Sequence, residues 1–483
     1  AVAKVADEVQ EMLLRADDAY FRERSSDIGS LAERVIEHLV GTADAKSGAL
    51  APEGAVIIAH DLSPADTADF ARIKVGALVT ELGGRTSHSA IVARSLEIPA
   101  VVHVEGALET VCTGDTVVVD AVHGVVVVRP TGEELAVWAE SRQRYDAFED
   151  EVQREHGLPA TTLDGTHVRI RANVGLPEEV ASARFHGAEG VGLYRTEYLF
   201  MGRSDLPGEE EHYRHAKDIL RMMHPYPVCF RTFDLGSDKR TGALPERAHE
   251  KNPAMGMRSL RLALKHREVF MAQLRGLLRA AVHGPLRIML PLVSGVSELR
   301  AAMAVVEEAR HELTTQGVAH GQDVPVGIMI EMPSAALIAD LLAPEVDFMS
   351  IGTNDLLQYS LGIDRENDDV GYLYRPLHPA ITRMIEGVVR AGRESGTPVS
   401  LCGEMAADPR YIWVLVGMGL RELSMHPSAI PVIKNIIRSS KLREMETLAE
   451  RLLQVRDVEE AETLVAGTMK ARFAEHLEHG GGG

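Results

Sequence analysis

The sequence predicts an α/β chain in which a (β/α)8 barrel follows a smaller α/β domain. Two observations carry the barrel. Eight short apolar runs recur over about 260 residues from position 166 onward, and helical stretches separate them. Polar residues stand directly after several of these runs, at the strand ends where barrels gather their chemistry. A third observation sets the smaller domain apart: residues 55–129 alternate β-rich runs with turns, and a charged stretch with sparse apolar positions follows. A doubly wound sheet is the second choice for the larger part.

Residues 1–42 carry apolar positions at helical spacing, and Ser25, Ser26 and Asp27 can end one helix or cap the next. Residues 43–54 read as a loop. AVIIA (55–59), VGALVT (75–80) and PAVVHV (99–104) read as strands, and SHSAIVARSLEI (87–98) as a helix. DTVVVDAVHGVVVVRP reads as a hairpin that turns near His123 and Gly124. Residues 132–156 read as a solvated connector helix. The barrel strands are then HVRIRANV (167–174), GVGLY (190–194), VCFRTF (228–233), RIMLPLV (287–293), VGIMI (326–330), DFMSIG (347–352), PVSLC (398–402) and ELSM (422–425). The expected division is a helical segment 1–42, an α/β domain 43–130, a linker helix 131–157 and a barrel 158–470. The tail AEHLEHGGGG reads as frayed or artificial.

Composition narrows the function. The chain has 483 residues, 45% hydrophobic and 25% charged, as in an ordinary soluble globular protein. Its formal net charge of −20 repels nucleic acid and anionic membranes, so neither is an expected partner. No apolar run reaches the length of a membrane span. Cys112, Cys229 and Cys402 are few and widely spaced, which suits a reducing cytoplasm and no disulfide framework. The first residues lack a signal-peptide pattern and an initiator Met, so the chain is expected to be a piece of something longer.

The strand-end residues are Arg195, Arg231, Glu331, Asn354, Asp355 and Cys402. Singly each reads as a cap or a surface group, but in one barrel they share one mouth. Arg195, Arg231, Arg258 and Arg365, with Lys239, form a basic set inside an acidic protein. Guanidinium forks bind phosphate and carboxylate in bidentate fashion. Glu331 and Asp355 are hard oxygen donors suited to Mg2+, which takes few protein carboxylates and fills its shell with substrate oxygens and water. The expected ligand is a small phosphorylated polyanion with a divalent metal. In GGRTSHSAIVARSLEIPAVV (83–102), Gly83 and Gly84 permit a tight turn and Thr86 or Ser87 can cap a helix. His88 then lies in the first helical turn, where free N–H groups favour an anion.

That stretch closely resembles the phosphohistidine signature of Enzyme I, the phosphoenolpyruvate-protein phosphotransferase of the sugar phosphotransferase system. GVGLYRTEYLFM, RTFDLGSDK, NPAMGMRSLR, IMIEMPSAA, MSIGTNDLLQYSLGIDREN, YRPLHPAI and CGEMAADP resemble its phosphoenolpyruvate-binding barrel in the same order. The resemblance runs from about residue 1 to 440. It implies a swivelling phosphohistidine domain ahead of a TIM barrel. It implies that His88 takes the phosphoryl group of phosphoenolpyruvate and passes it to the carrier protein HPr. It implies that Arg195, Arg231, Lys239, Arg258, Asn354 and Arg365 bind the substrate, that Glu331 and Asp355 hold Mg2+, and that Cys402 protonates the enolate carbon to give pyruvate. A small buried thiol is the plainer reading of Cys402. The family's barrels usually dimerise, so a cytoplasmic homodimer is expected.

Several positions depart from the family pattern: Ser237 for a usual Gly, Met257 for a frequent aromatic, Leu357 for a usual Thr and Arg375 for a usual Asp. Only the last helices of the HPr-docking insert match, in residues 1–42. That leaves HPr docking in question, and suggests either truncation or the Enzyme I-like part of a fused multiphosphoryl transfer protein. The rival readings are a pyruvate phosphate dikinase or phosphoenolpyruvate synthase fragment, for which 42 helical residues are too few, and a non-catalytic phosphoenolpyruvate sensor.

Overall fold

The computed structural model describes residues 52–62, 70, 73–82, 93, 98–200, 203, 205–236, 252–364 and 367–479. The expected helices of 1–42 lie outside them, as does most of the expected helix 87–98. The chain forms two compact units, Ala1–Ser141 and Arg142–Gly483.

In the first unit, β1 (Val56–Ala59), β2 (Ala77–Thr80) and β3 (Ala100–Val101) make a parallel sheet in that order. Leu62, Val75, Leu78 and Ala93 form its buried cluster. β4 (Val117–Asp120) and β5 (Val125–Val128) pair antiparallel as a hairpin. Asp120 shapes its turn, because the backbone N–H groups of Val122 and His123 both donate to its Oδ1 at 3.0 Å. Gly124 takes the left-handed φ of 68° that closes the turn. The helix Gly132–Arg154 starts with a capping box: Glu134 N donates to Thr131 Oγ1 at 3.2 Å, and Thr131 N donates to Glu134 Oε2 at 2.7 Å. Along it only Phe148 and Val152 are buried, which explains its polar sequence.

In the second unit all eight expected runs are strands: β6 (Arg169–Val174), β7 (Val191–Tyr194), β8 (Val228–Arg231), β9 (Leu286–Leu290), β10 (Val326–Ile330), β11 (Met349–Ile351), β12 (Val399–Leu401) and β13 (Glu422–Met425). They pair in parallel in chain order, and β13 closes on β6 through Glu422↔Arg169 to Met425↔Ala172. The barrel replaces the doubly wound alternative.

Alternation along the strands divides two cores. Val228 and Phe230, Ile288 and Leu290, and Ile328 and Ile330 face outward into the continuous layer shared with the helices. Between them Cys229, Met289 and Met329 point inward and join Leu193, Phe348 and Cys402 as a separate buried plug. Truncating one of these methionines to Ala costs about 2–5 kcal/mol through the void it leaves. Above the plug Asn173 links three strands, since its Nδ2 donates to Cys402 O at 2.9 Å and Ser424 Oγ donates to its Oδ1 at 2.7 Å. The plug makes the interior a packed core with two ends rather than a pore.

Candidate active site

The carboxyl ends of the strands carry a dense polar network. Arg231, the last residue of β8, is 7% exposed. Its Nη2 donates to Glu197 Oε1 at 3.0 Å, and its Nη1 lies 3.2 Å from Asp234 Oδ2. Arg258 precedes the helix Ser259–Lys265. Its Nη2 donates to both oxygens of Asp234 at 3.0 Å and lies 3.6 Å from Asp355 Oδ2. Its Nη1 donates to Tyr359 Oη at 3.2 Å, and that hydroxyl donates onward to Ala254 O at 2.6 Å. One carboxylate, Asp234, thus fixes two guanidiniums, while Glu197 also takes the N–H of Asp234 at 2.9 Å. Among the described residues the buried Nε atoms of Arg231 and Arg258 have no acceptor. Such orphaned cationic donors are rare unless something else completes them.

Glu331 follows β10 and is 2% exposed. The N–H of Leu292 donates to its Oε1 at 2.6 Å. Burial first, then the neighbouring Asp355 and Asp234 carboxylates, push its carboxyl up to about 8. Asp355 sits in the first turn of the helix Thr353–Leu361, beyond β11. For Arg231, desolvation is outweighed by Glu197, Asp234, Glu331 and Asp355, which hold the guanidinium more firmly charged than usual. Two backbones here adopt left-handed angles without glycine, Ser259 at φ 56° and Leu292 at φ 53°. Strain of this kind, of order 1–3 kcal/mol each, clusters at functional sites.

Cys402 follows β12 and is 4% exposed. Its Sγ points to Ile351 O at 3.7 Å. Burial pushes the thiol up to about 11; Ser350 beside it pulls the other way, Glu331 adds to the rise, and Arg231 and Arg195 oppose it. The thiol therefore keeps its proton near neutral pH. Gly403 sets the approach of this loop, because a Cβ there would collide with Thr353 Oγ1. The contact brings Glu404 to Asn354: Asn354 Nδ2 donates to Glu404 Oε1 at 3.1 Å, and Glu404 N donates to Asn354 Oδ1 at 2.9 Å. Arg195, directly after β7, is exposed.

The structure therefore joins Arg231 and Arg258 through Asp234, and Arg258 with Asp355, in one network, with Glu331 and Cys402 within its electrostatic reach. Asn354 is tied to Glu404, and Arg195 makes no ion pair among the described residues. His88, Lys239 and Arg365 lie outside the described residues.

Comparison with known proteins decides the family. The family model described as "PEP-utilising enzyme, PEP-binding domain" matches residues 149–442, and that described as "PEP-utilising enzyme, mobile domain" matches residues 51–124. The phosphoenolpyruvate-protein phosphotransferase of Staphylococcus carnosus (strain TM300) is 42% identical over 465 residues, 96% of this chain and 81% of that protein. The proteins of the same name from Geobacillus stearothermophilus, 44% identical over 452 residues (94% and 78%), and Priestia megaterium, 42% identical over 466 residues (96% and 81%), are similarly close. The chain belongs to the phosphoenolpyruvate-protein phosphotransferases.

The mouth also holds residues of this family member that sequence reasoning passed over. Glu197, Asp234 and Tyr359 hold the arginines. Asp234 was available as a signal, being an acid three residues past a strand-end arginine. Tyr359 gives no local signal, since its partner is Arg258, 101 residues earlier. The departures divide by environment. Leu357 is fully buried in the outer core and Met257 packs against that core. Arg375 donates through Nε to Glu462 Oε1 at 2.6 Å, on the helix Val458–His479, so its charge is spent on that helix. Ser237 lies outside the described residues.

Proposed function

We propose that the barrel mouth binds phosphoenolpyruvate and directs its phosphoryl group to His88, from which it passes to the histidine of an HPr-type carrier. The supporting observation is the pair of buried guanidiniums, Arg231 and Arg258, each keeping an Nε without an acceptor beside the Glu331 and Asp355 carboxylates. A substrate with a phosphate and a carboxylate supplies acceptors of that kind. Arg195, Asn354, Lys239 and Arg365 are proposed to complete the anion's contacts.

Glu331 and Asp355 are the proposed Mg2+ ligands. Their fit rests on the mutual crowding of these carboxylates with Asp234, which a cation relieves. Among the described residues no cluster of three or more His, Cys, Asp or Glu forms a full metal cage, and Mg2+ ordinarily takes one or two carboxylates and finds the rest in substrate and water. When bound, the ion supplies charge neutralisation to phosphoryl and enolate oxygens.

The chain's own residues do the remainder. Arg231 and Arg258, clamped by Asp234 and Glu197, hold the anion without rearranging, which is what phosphoryl transfer demands of a protein. The P–O bond of phosphoenolpyruvate breaks as a bond forms between phosphorus and an imidazole nitrogen of His88. The electron pair left on enolpyruvate moves to its terminal carbon, which takes a proton from Cys402 Sγ to give pyruvate, and water reprotonates the thiolate. A second displacement moves the phosphoryl group to the carrier. A homodimer built through the barrel and a cytoplasmic location rest on the family alone; no described helix is long and apolar enough to cross a membrane.

The test is pyruvate release. With phosphoenolpyruvate and Mg2+ alone, about one pyruvate should form per chain, and catalytic turnover should appear only when a phosphocarrier protein is added. Continuous release without a carrier would replace transfer by hydrolysis.

A further inference from the structure

The opposite end of the barrel holds a cavity of about 260 Å3 with an unusual lining. Arg169, Arg287 and Glu422 stand at the starts of β6, β9 and β13, so the cavity opens at the amino end of the strands. Arg393 and Arg421 complete a set of four arginines against a single lining carboxylate. That carboxylate is already shared. Glu422 Oε2 lies 2.9 Å from Nη2 of the buried Arg171, and its Oε1 takes Arg287 Nη1 at 3.4 Å. Arg171 itself has two further nitrogens, Nε and Nη1, without partners among the described residues.

Arg287, which shares Glu422 with Arg171, also lies over the Phe348 ring, 5.4 Å from its centroid, and the other three lining arginines have no carboxylate partner among the described residues. Arg421 donates through Nη1 to Val416 O at 2.8 Å and Leu420 O at 2.9 Å, which orients it without cancelling its charge. Arg169 and Arg393 are exposed and make no ion pair among the described residues. Conserving stability cannot be the purpose of such a set, since like charges around one void repel each other. In a chain of net charge −20, a local concentration of guanidiniums makes a focused anion trap. The inner plug of Leu193, Cys229, Met289 and Met329 separates it from the mouth. Its volume lies just below that of pockets for drug-sized ligands, which selects a small metabolite.

We propose that this cavity is a second anion site that takes a small multivalent anion bearing phosphoryl or carboxylate groups. The test uses the full chain and two probes, pyrophosphate and citrate, in titration calorimetry. The wild type should bind at least one probe at low millimolar concentration or better. In Arg169→Gln/Arg393→Gln the affinity should fall by at least about tenfold, while the KM for phosphoenolpyruvate changes less than about twofold. In Arg195→Ala, at the mouth, the same binding should persist. Retention of pyrophosphate but not citrate assigns the site to phosphorylated compounds, and the reverse to polycarboxylates. Should the double variant lose its fold by circular dichroism, Arg393→Gln alone replaces it, since that side chain is exposed. Unchanged affinity in the rim variant, binding lost instead in Arg195→Ala, or no binding of either probe to the wild type would each overturn the site.

Discussion

Replacing Cys402 by serine should slow one step of the reaction and spare the other. The thiol is held up at about 11 by burial, so it carries its proton at neutral pH. A serine hydroxyl is a much weaker acid than a thiol, and burial weakens it further. Losing a positioned general acid costs about 10²–10⁴ in rate. The phosphoryl step does not use this proton, so phospho-His88 should form at its usual rate. The fold should survive. The serine hydroxyl can donate to Ile351 O, which the thiol already approaches at 3.7 Å, and burying it costs about 1–3 kcal/mol at most. Rapid quench resolves the two products: labelled protein should appear promptly and pyruvate late. Equal slowing of both, or of neither, would return Cys402 to a packed thiol of the inner core.

Two other perturbations probe the mouth. Glu331→Gln or Asp355→Asn should abolish Mg2+-dependent turnover and the rise in Tm expected when Mg2+ is added to the wild type, while leaving circular dichroism unchanged; an undiminished Mg2+ response in both would exclude them as ligands. Tyr359→Phe removes the hydroxyl that ties Arg258 to Ala254 O, a charged hydrogen bond of about 1.5–3 kcal/mol. It should raise the KM for phosphoenolpyruvate by roughly tenfold or more with kcat little changed, and an unaltered KM would mean that Arg258 is positioned by Asp234 alone.

The barrel was legible because its strands are buried on both faces, so each reads as a nearly unbroken apolar run. Bounds shifted only at strand ends: β6 begins at Arg169 rather than His167, and Arg231 ends β8, whereas the apolar run continued to Phe233. The candidate arginines and carboxylates were legible because a strand end is a fixed address in such a fold. What holds them was not. Asp234 takes its meaning from distances to two arginines 3 and 24 residues away, and the Asn173 bridge joins residues 229 and 251 positions apart. Periodicity carries no information about such pairs. Arg375 looked like a departure from the family pattern, but its partner Glu462 is 87 residues on, where no motif could announce it. The basic cavity at the barrel's amino end was equally hidden, because its four arginines come from β6, β9, the last turn of the helix Pro379–Ser395 and the residue before β13, which only the closed barrel brings together.

The central claim is that His88 receives the phosphoryl group while a different unit binds its donor. Incubation with phosphoenolpyruvate labelled in its phosphate, with Mg2+, followed by peptide mapping, tests it most directly. One acid-labile, base-stable phosphoryl group per chain should map to the peptide containing His88. His88→Ala should carry no label yet bind phosphoenolpyruvate within about tenfold of the wild type, on the order of 1.4 kcal/mol. Label on any other residue, label persisting in His88→Ala, or a larger loss of binding in that variant would contradict the account.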